Sequence, residues 1–146
     1  MTQKNQRVLL VDDYPDALEI WSLYLEMLGY TVMTADDGRK AVEMAVTSRP
    51  HLIVMDLELP GLTGFEAARQ IRAHPDTHAI PLIAATGYSH AHQIEEAQRA
   101  GFDLIVIKPC DPETLANHIG RLLDTESFEH GRQPDATFKE ASSERS

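Results

Sequence analysis

The chain has little cysteine and no long apolar stretch, and each absence excludes a class of protein. Its 146 residues include a single cysteine, Cys110, so no internal disulfide framework is available, and a reducing, cytoplasmic location is expected. Runs of consecutive apolar residues reach only about four or five residues, which is far too short to cross a bilayer. No segment near the start combines basic residues, an apolar run and small residues, so we expect no signal peptide.

Positive charge is also scarce. Lysine and arginine together number 13 against 23 aspartates and glutamates, which gives a formal net charge of −10. Nucleic acids are bound by clustered lysine and arginine, so we expect no nucleic-acid partner and no membrane partner. An acidic chain suits a bound cation or a basic protein surface.

Short apolar segments alternate with longer amphipathic ones along the chain. In the first amphipathic segment, Leu18, Trp21 and Leu25 recur at helical spacing. The apolar segments are unbroken, which is typical of strands buried on both faces of a parallel sheet. We expect strands at Val8–Val11, Tyr30–Ala35, Leu52–Met55, Leu82–Ala85 and Leu104–Ile107, and helices at Pro15–Leu28, Gly38–Thr47, Gly64–Ala73, Ala91–Ala100 and Pro112–Leu123. This order predicts five strand–helix units in an open α/β fold.

The boundaries of these elements carry their own signals. Gly29 and Gly101 follow helical segments, where a left-handed cap is expected, and Asp111 precedes a helix-opening proline, as an N-cap residue does.

The helical pattern ends near Thr125. We therefore expect an N-terminal extension at 1–6, one domain over 7–124, and a polar, disordered C-terminal tail at 125–146. Phe128 and Phe138 are the large apolar residues of that tail, and docking of either one on the domain is the alternative.

Candidate site residues follow the first, third, fourth and fifth predicted strands. They are Asp12 and Asp13 after the first, Asp56 and Glu58 after the third, Thr86, Gly87 and Tyr88 after the fourth, and Lys108 after the fifth. Ligands of open α/β sheets bind beyond the carboxyl ends of the strands, so these groups are expected to converge. Taken singly, each has a local explanation: helix caps for the first two aspartates, a turn for Asp56, an ordinary strand end for Thr86 and a solvated lysine for Lys108.

Three converging carboxylates repel one another unless a cation lies between them. Mg²⁺ takes one or two carboxylates, keeps several waters and shares phosphate oxygens. A carboxylate beside such an ion can become an aspartyl phosphate, with a lysine and the metal neutralising the phosphoryl oxygens. No histidine or arginine is placed to protonate a leaving group, so a phosphoramidate or acyl phosphate is the expected donor.

Four stretches carry a specific resemblance: "VDD" after the first strand, "DLELPGLTGFE" around Asp56, "ATG" after the fourth strand, and "AGFDLIVIKPCDPETL". Over about Arg7 to Leu123 the chain resembles a receiver domain of the two-component response regulators. The resemblance implies the flavodoxin-like (βα)5 fold, a three-layer sandwich whose five-stranded parallel sheet has the order 2-1-3-4-5.

The resemblance also implies roles for individual residues. Asp56 resembles the phospho-acceptor, and Lys108 the lysine that pairs with the phosphoryl oxygens. The implied ligands of Mg²⁺, or alternatively Mn²⁺, are Asp12, Asp13, Asp56 and the main-chain carbonyl of Glu58. Thr86 resembles the switch hydroxyl, with the Gly87 N–H able to hold another phosphoryl oxygen.

The positions around this site carry further expectations. Pro109 corresponds to a proline that follows a cis peptide bond in the family, while the side chains of Glu58 and Tyr88 are expected to flank the phosphoryl group and tune its lifetime. The family often has tyrosine or phenylalanine where this chain has Ile105, so an aromatic rotamer switch at that switch position is in doubt.

By this resemblance the chain is a signalling protein and not an enzyme, since it catalyses only its own phosphorylation and slow dephosphorylation. A sensor histidine kinase or a histidine phosphotransfer protein supplies the phosphoryl group, and an unknown downstream protein reads a switched surface. A homodimer is left open, as is the choice between a stand-alone regulator and a receiver excised from a hybrid kinase.

Two other functions stay open: a receiver-like binding module that works without phosphorylation, and a small magnesium-dependent phosphohydrolase using Asp56 and Glu58. For Cys110 we expect a small buried thiol, with a redox role as the alternative. The histidine pairs His74 and His78, and His90 and His92, are expected to be solvated surface residues and not a zinc site.

Overall fold

The computed structural model describes residues 6–87 and 91–128, in which five strands alternate with five helices. The strands are β1 (Arg7–Val11), β2 (Thr31–Ala35), β3 (Leu52–Asp56), β4 (Leu82–Thr86) and β5 (Leu104–Ile107). The helices are α1 (Pro15–Met27), α2 (Gly38–Ser48), α3 (Gly64–Ala73), α4 (Ala91–Ala100) and α5 (Pro112–Phe128). Across these ranges, no helix combines the length and the apolar character needed to span a membrane.

All strand pairs are parallel, and the sheet order is β2-β1-β3-β4-β5, which confirms the predicted flavodoxin-like topology. Alternate side chains of each strand enter two separate cores. One core packs the sheet against α2, α3 and α4, and the other packs it against α1 and α5. The central strand β3 is buried at every residue, because helices cover both faces of the sheet.

Several predicted boundaries are wrong. The strands β1, β3 and β4 and the helices α1 and α2 each differ from the prediction by one residue at one end. β2 begins at Thr31 and not at Tyr30, and α5 continues to Phe128 instead of ending at Leu123, so residues 125–128 of the predicted tail are helical. The segment from Asp124 to Phe128 contains neither proline nor glycine, so nothing local interrupts the helical hydrogen bonds. Residues 1–5 and 129–146 lie outside the described residues.

The predicted caps are confirmed. Gly29 and Gly101 have φ angles of 103° and 110°, which suit glycine because it has no side chain to clash. The Asp111 carboxylate accepts a hydrogen bond of 3.0 Å from the Thr114 N–H, as an N-cap does.

Arg72 of α3 joins two connections of the chain, one directly after its own helix and one about 30 residues further on. Its guanidinium donates to the carbonyl of Gly101 at 2.7 and 3.0 Å, and to the carbonyls of His78 at 2.8 Å and Ile80 at 2.6 Å. It also lies 3.2 Å from the Asp103 carboxylate, which accepts a hydrogen bond from the Leu82 N–H at 2.9 Å. The arginine therefore ties α3 to the connection that precedes β4 and to the connection that precedes β5.

Arg72→Met is expected to lower the free energy of unfolding by about 2 kcal/mol, because the partly buried carbonyls of Gly101 and Ile80 lose a charged donor while the aliphatic packing is kept. Urea unfolding followed by circular dichroism measures the change. Arg69→Met is the matched control, since Arg69 and Glu96 are about half exposed and 3.4 Å apart, and its expected cost is below about 1 kcal/mol. Equal losses in the two variants would contradict the structural role of Arg72.

Candidate functional site

Three aspartates meet at the carboxyl edge of the sheet. Asp56 is the last residue of β3, and Asp12 and Asp13 follow β1 directly. Because Val11 of β1 is in register with Met55 of β3, the residues that follow this pair, Asp12 and Asp56, come to the same level. One carboxylate oxygen from each of the three aspartates lies within 4.8 Å of the other two. Asp12 is 1% exposed and Asp56 is 8% exposed, so two of these charges lie in a poorly solvated position.

Lys108 supplies the positive charge of this cluster. Its Nζ lies 2.7 Å from Asp12 Oδ2 and 3.4 Å from Asp56 Oδ2, and its backbone N–H donates to the Thr86 carbonyl at 2.8 Å. The peptide bond between Lys108 and Pro109 is cis, as the resemblance implied. The explanation of Lys108 as a solvated lysine is therefore wrong, because its side chain is 25% exposed and forms both ion pairs.

The surroundings of Asp56 favour its neutral form. Burial raises the pKa of Asp56 and the neighbouring Asp12 adds to this, while the Glu58 N–H and Lys108 oppose it without cancelling it. For Lys108, burial alone would lower the pKa, but the hydrogen bond to Asp12 and the charge of Asp56 outweigh it and raise the pKa. Lys108 therefore stays charged. Its single positive charge does not balance the three carboxylates, and this excess of negative charge favours a bound cation.

The local roles predicted for the aspartates, helix caps for Asp12 and Asp13 and a turn for Asp56, are found only in part. The N-cap of α1 is Tyr14, which makes no side-chain cap hydrogen bond, so neither Asp12 nor Asp13 occupies the N-cap position. Asp12 Oδ1 accepts the Tyr14 N–H at 3.0 Å, and Asp56 Oδ1 accepts the Glu58 N–H at 3.1 Å. Asp56 therefore does form a turn with one oxygen, while its other oxygen faces Lys108.

The other predicted site residues lie around this cluster at different depths. Thr86 ends β4, one residue beyond the Ala85 that pairs with Asp56, and it is fully buried. The Glu58 side chain and Gly87 are exposed, and Tyr88 lies outside the described residues. Ile105 is fully buried in the core on the α4 side of the sheet.

Gly64 was not recognised as a site residue from the sequence. A Cβ atom built on it would lie 2.8 Å from Leu57 Cα and closer still to the carbonyl oxygen of Asp56. The Gly64 N–H donates to the Leu57 carbonyl at 3.0 Å, so the first turn of α3 lies directly against the backbone of Asp56. The sequence did contain a signal for this contact, because a glycine stands at the start of a helix eight residues after Asp56.

Gly64→Ala is expected to displace the Asp56 backbone, because the added methyl group needs space that the main chain fills. We expect unfolding free energy to fall by about 1–3 kcal/mol and phosphorylation by acetyl phosphate to slow. Chemical unfolding and intact-mass time courses measure the two effects. Gly120→Ala is the control, since a Cβ there meets nothing within 4 Å. It should lower neither the unfolding free energy nor the rate of phosphorylation.

Cys110 is partly exposed and not fully buried as predicted, and of the histidines in the two predicted pairs, His90 lies outside the described residues. Burial and the charge of Asp111 raise the pKa of the Cys110 thiol to about 11, so it is protonated near neutral pH, which favours packing over a redox role. His74 Nδ1 accepts the Asp76 N–H at 3.1 Å, and His78 Nδ1 lies 3.1 Å from the Pro75 carbonyl. Within residues 6–87 and 91–128, Asp12, Asp13 and Asp56 are the one group of three side chains suited to a metal ion.

Comparisons with known proteins agree with this geometry. The family model of the response regulator receiver domain matches residues 8–120. Protein PilH of Pseudomonas aeruginosa is 35% identical over 117 residues, which are 80% of this chain and 97% of PilH. The DNA-binding dual master transcriptional regulator RpaA of Synechocystis is 34% identical, but the match spans only 48% of that protein.

A solved structure adds a metal ion to the comparison. The receiver domain of sensor histidine kinase PA1611 from Pseudomonas aeruginosa has a magnesium ion coordinated in its active site cleft. It is 33% identical, with a TM-score of 0.77, over 82% of this chain and 98% of that domain. Sequence, fold and the acidic cluster thus lead to one conclusion: the chain belongs to the response regulator receiver domains and has their phosphoryl-accepting function.

Proposed function

We propose that Asp56 accepts the phosphoryl group and that Asp12, Asp13 and Asp56 hold Mg²⁺ beside it. The observation that carries this proposal is the convergence of the three carboxylates within 4.8 Å of one another, with Lys108 Nζ 2.7 Å from Asp12 and 3.4 Å from Asp56. Of the three aspartates, Asp56 is the one that ends the central strand of the sheet, where it is paired with Ala85 of β4.

The donor set fits a hard divalent cation. All the available side-chain ligands are carboxylate oxygens, and the three carboxylates outnumber Lys108, the lysine that pairs with two of them. The main-chain carbonyl of Glu58 is the further ligand that we propose, and Mn²⁺ is the alternative ion. When bound, the metal supplies positive charge that neutralises the phosphoryl oxygens. Support comes from the magnesium ion in the PA1611 receiver domain.

The chain's own residues then have distinct tasks. An oxygen of Asp56 forms a bond to phosphorus while the bond between phosphorus and the donor's nitrogen breaks, which yields an aspartyl phosphate. Lys108 exchanges its contact with Asp56 for one with a phosphoryl oxygen, and the Thr86 hydroxyl and the Gly87 N–H hold another. We assign the Glu58 and Tyr88 side chains to tuning of the phosphoryl lifetime.

A histidine kinase or histidine phosphotransfer protein is the donor that we propose, because a phosphohistidine needs no general acid in the acceptor site. Movement of Thr86 toward the phosphoryl group would alter the surface formed by α4 and β5, through the buried side chain of Ile105. A downstream protein, or a second copy of the chain, reads that surface. We assign these activities to residues 7–124, in the cytoplasm.

The test is the intact mass of the protein after incubation with acetyl phosphate and Mg²⁺. The proposal expects one added phosphoryl group and none when a chelator is present. No added mass, with Mg²⁺ binding verified separately, would indicate a binding module that works without phosphorylation. Free phosphate released over many rapid turnovers would instead indicate a phosphohydrolase.

A further inference from the structure

The segment that joins β3 to α3, residues 57–63, runs beside the acceptor, and we call it the β3–α3 loop. Leu57 and Leu59 anchor it in the core, since they are 1% and 7% exposed. Glu58 lies between them and is exposed, and its N–H donates to Asp56 Oδ1 at 3.1 Å. The backbone of Glu58 therefore lies next to the acidic cluster.

Gly38, the first residue of α2, touches the other end of this loop. A Cβ atom built on Gly38 would lie 2.9 Å from both the carbonyl carbon and the Cβ of Leu62, and closer still to the Leu62 carbonyl oxygen. The φ angle of Gly38 is not positive, so the close approach of two backbones, and not the local conformation, requires glycine here. Because main-chain atoms cannot turn aside as the end of a side chain can, a larger residue has to displace the loop.

The start of α2 is itself fixed relative to the acidic cluster. Helix α2 follows β2, and the Ala35 carbonyl at the end of β2 accepts the Asp12 N–H at 3.1 Å. Asp37 is the N-cap of α2, and its carboxylate accepts the Lys40 N–H at 2.8 Å, which stabilises the first turn. Gly38 thus belongs to a well-held support beside Asp12, and it determines how closely the β3–α3 loop approaches that support.

The position of this loop matters for the metal ion of the proposed site. Mg²⁺ demands nearly octahedral geometry, with ligands at about 2.0–2.1 Å, and a working site has to be held to within about 0.5 Å. A carboxylate can adjust by rotating its side chain. The main-chain carbonyl of Glu58 cannot, so its position is set by where the loop lies.

We propose that Gly38 is a positioning residue for magnesium, because it admits the Leu62 backbone against α2 and so places the Glu58 carbonyl. This inference rests on the proposed function and deepens it, since it assigns control of the metal affinity to a residue outside the aspartate cluster. The acceptor should be affected less, because Asp56 belongs to β3 and is paired with Ala85 of β4.

Urea unfolding of the Gly38→Ala protein over a series of Mg²⁺ concentrations, at constant ionic strength, tests the proposal. An ion that binds the folded chain stabilises it according to its occupancy, so the series gives the dissociation constant for Mg²⁺. We expect this constant to rise by about 10–100-fold, the usual cost of losing a group that orients a metal ligand. A purely structural role would instead lower stability equally at every Mg²⁺ concentration and leave the constant unchanged.

The rate of phosphorylation separates the metal from the acceptor. At saturating Mg²⁺, intact-mass time courses with acetyl phosphate should show a smaller loss for Gly38→Ala than its loss of Mg²⁺ affinity. A rate that falls at saturating Mg²⁺ while the affinity is unchanged would place the effect of Gly38 on the acceptor and overturn the proposal.

Two other glycine variants complete the experiment. A Cβ atom on Gly120 or on Gly61 meets nothing within 4 Å. Gly120→Ala lies outside the loop and should keep the wild-type affinity for Mg²⁺. Gly61 has a φ angle of 72°, so Gly61→Ala strains the loop from within and should also weaken Mg²⁺ binding. This variant supplies the test if Gly38→Ala does not fold.

Unchanged affinity would overturn the proposal. If Gly38→Ala binds Mg²⁺ as tightly as the wild type, or if Gly61→Ala does so when Gly38→Ala does not fold, the loop does not control the metal. In that case the proposed function stands, because the wild-type chain still binds Mg²⁺. Absence of Mg²⁺ binding by the wild-type chain would overturn the proposed metal site and this inference together, so the two failures are distinguishable.

Discussion

Asp56→Asn is expected to abolish the gain of a phosphoryl group and, at the same time, to stabilise the metal-free protein. The asparagine side chain nearly matches aspartate in shape, but its amide cannot form an acyl phosphate. The substitution also removes one of three carboxylates that lie within 4.8 Å of one another. Intact mass after incubation with acetyl phosphate and Mg²⁺ measures the first effect, and urea unfolding in the presence of a chelator measures the second.

The sign of the stability change follows from the pKa of Asp56, which burial raises above its usual value. A carboxyl group whose pKa is raised by folding stabilises the fold at acidic pH, and that contribution is lost as the pH rises through the raised pKa. At neutral pH the wild-type chain therefore carries a penalty that the asparagine variant lacks. The advantage of the variant should shrink as the pH approaches 4.

Asp13→Asn is the matched control for this experiment. It removes a neighbouring carboxylate that is exposed to solvent, so it should weaken the response to Mg²⁺ and leave the acceptor in place. We expect slower phosphorylation of this variant and a smaller change in stability. A phosphoryl group on the Asp56→Asn protein would show that another residue is the acceptor.

Lys108→Met is expected to slow phosphorylation by acetyl phosphate by about 10²–10³-fold, the usual cost of removing one preorganised group that stabilises developing charge. The Nζ atom already lies 3.4 Å from Asp56, so it needs little movement to reach a phosphoryl oxygen. Methionine keeps most of the aliphatic chain, and the affinity for Mg²⁺ should not fall, because a competing positive charge has been removed. Intact-mass time courses at saturating Mg²⁺ give the rate.

Lys40→Met is the control for the loss of a lysine as such. Lys40 pairs with Asp36 at 3.0 Å on the surface, where both side chains are more than half exposed, and the phosphorylation rate should be unchanged. If Lys108→Met were phosphorylated at the wild-type rate, the lysine would serve only to balance the charge of Asp12.

Local pattern was sufficient to predict a parallel α/β sheet, whereas the strand order came from the resemblance to receiver domains. Unbroken apolar segments separated by amphipathic ones predict a parallel sheet covered on both faces, and the ends of parallel strands meet at one edge. For that reason Asp12, Asp56 and Lys108 could be expected together before any distance was known. The end of α5 was mispredicted because polar residues such as Thr125 are compatible with both a tail and a surface helix.

The sequence by itself determined which chemical groups stand at the carboxyl edge, since a residue that follows a buried strand has no other place to go. Only the tertiary structure decided how those groups interact. The contact between Lys108 and Asp12 joins residues 96 positions apart, and the contact of Gly64 with the Asp56 backbone depends on how closely α3 approaches β3. Both are set by the packing of helices on the sheet, where a shift of about 1 Å makes or breaks a contact that no local pattern encodes.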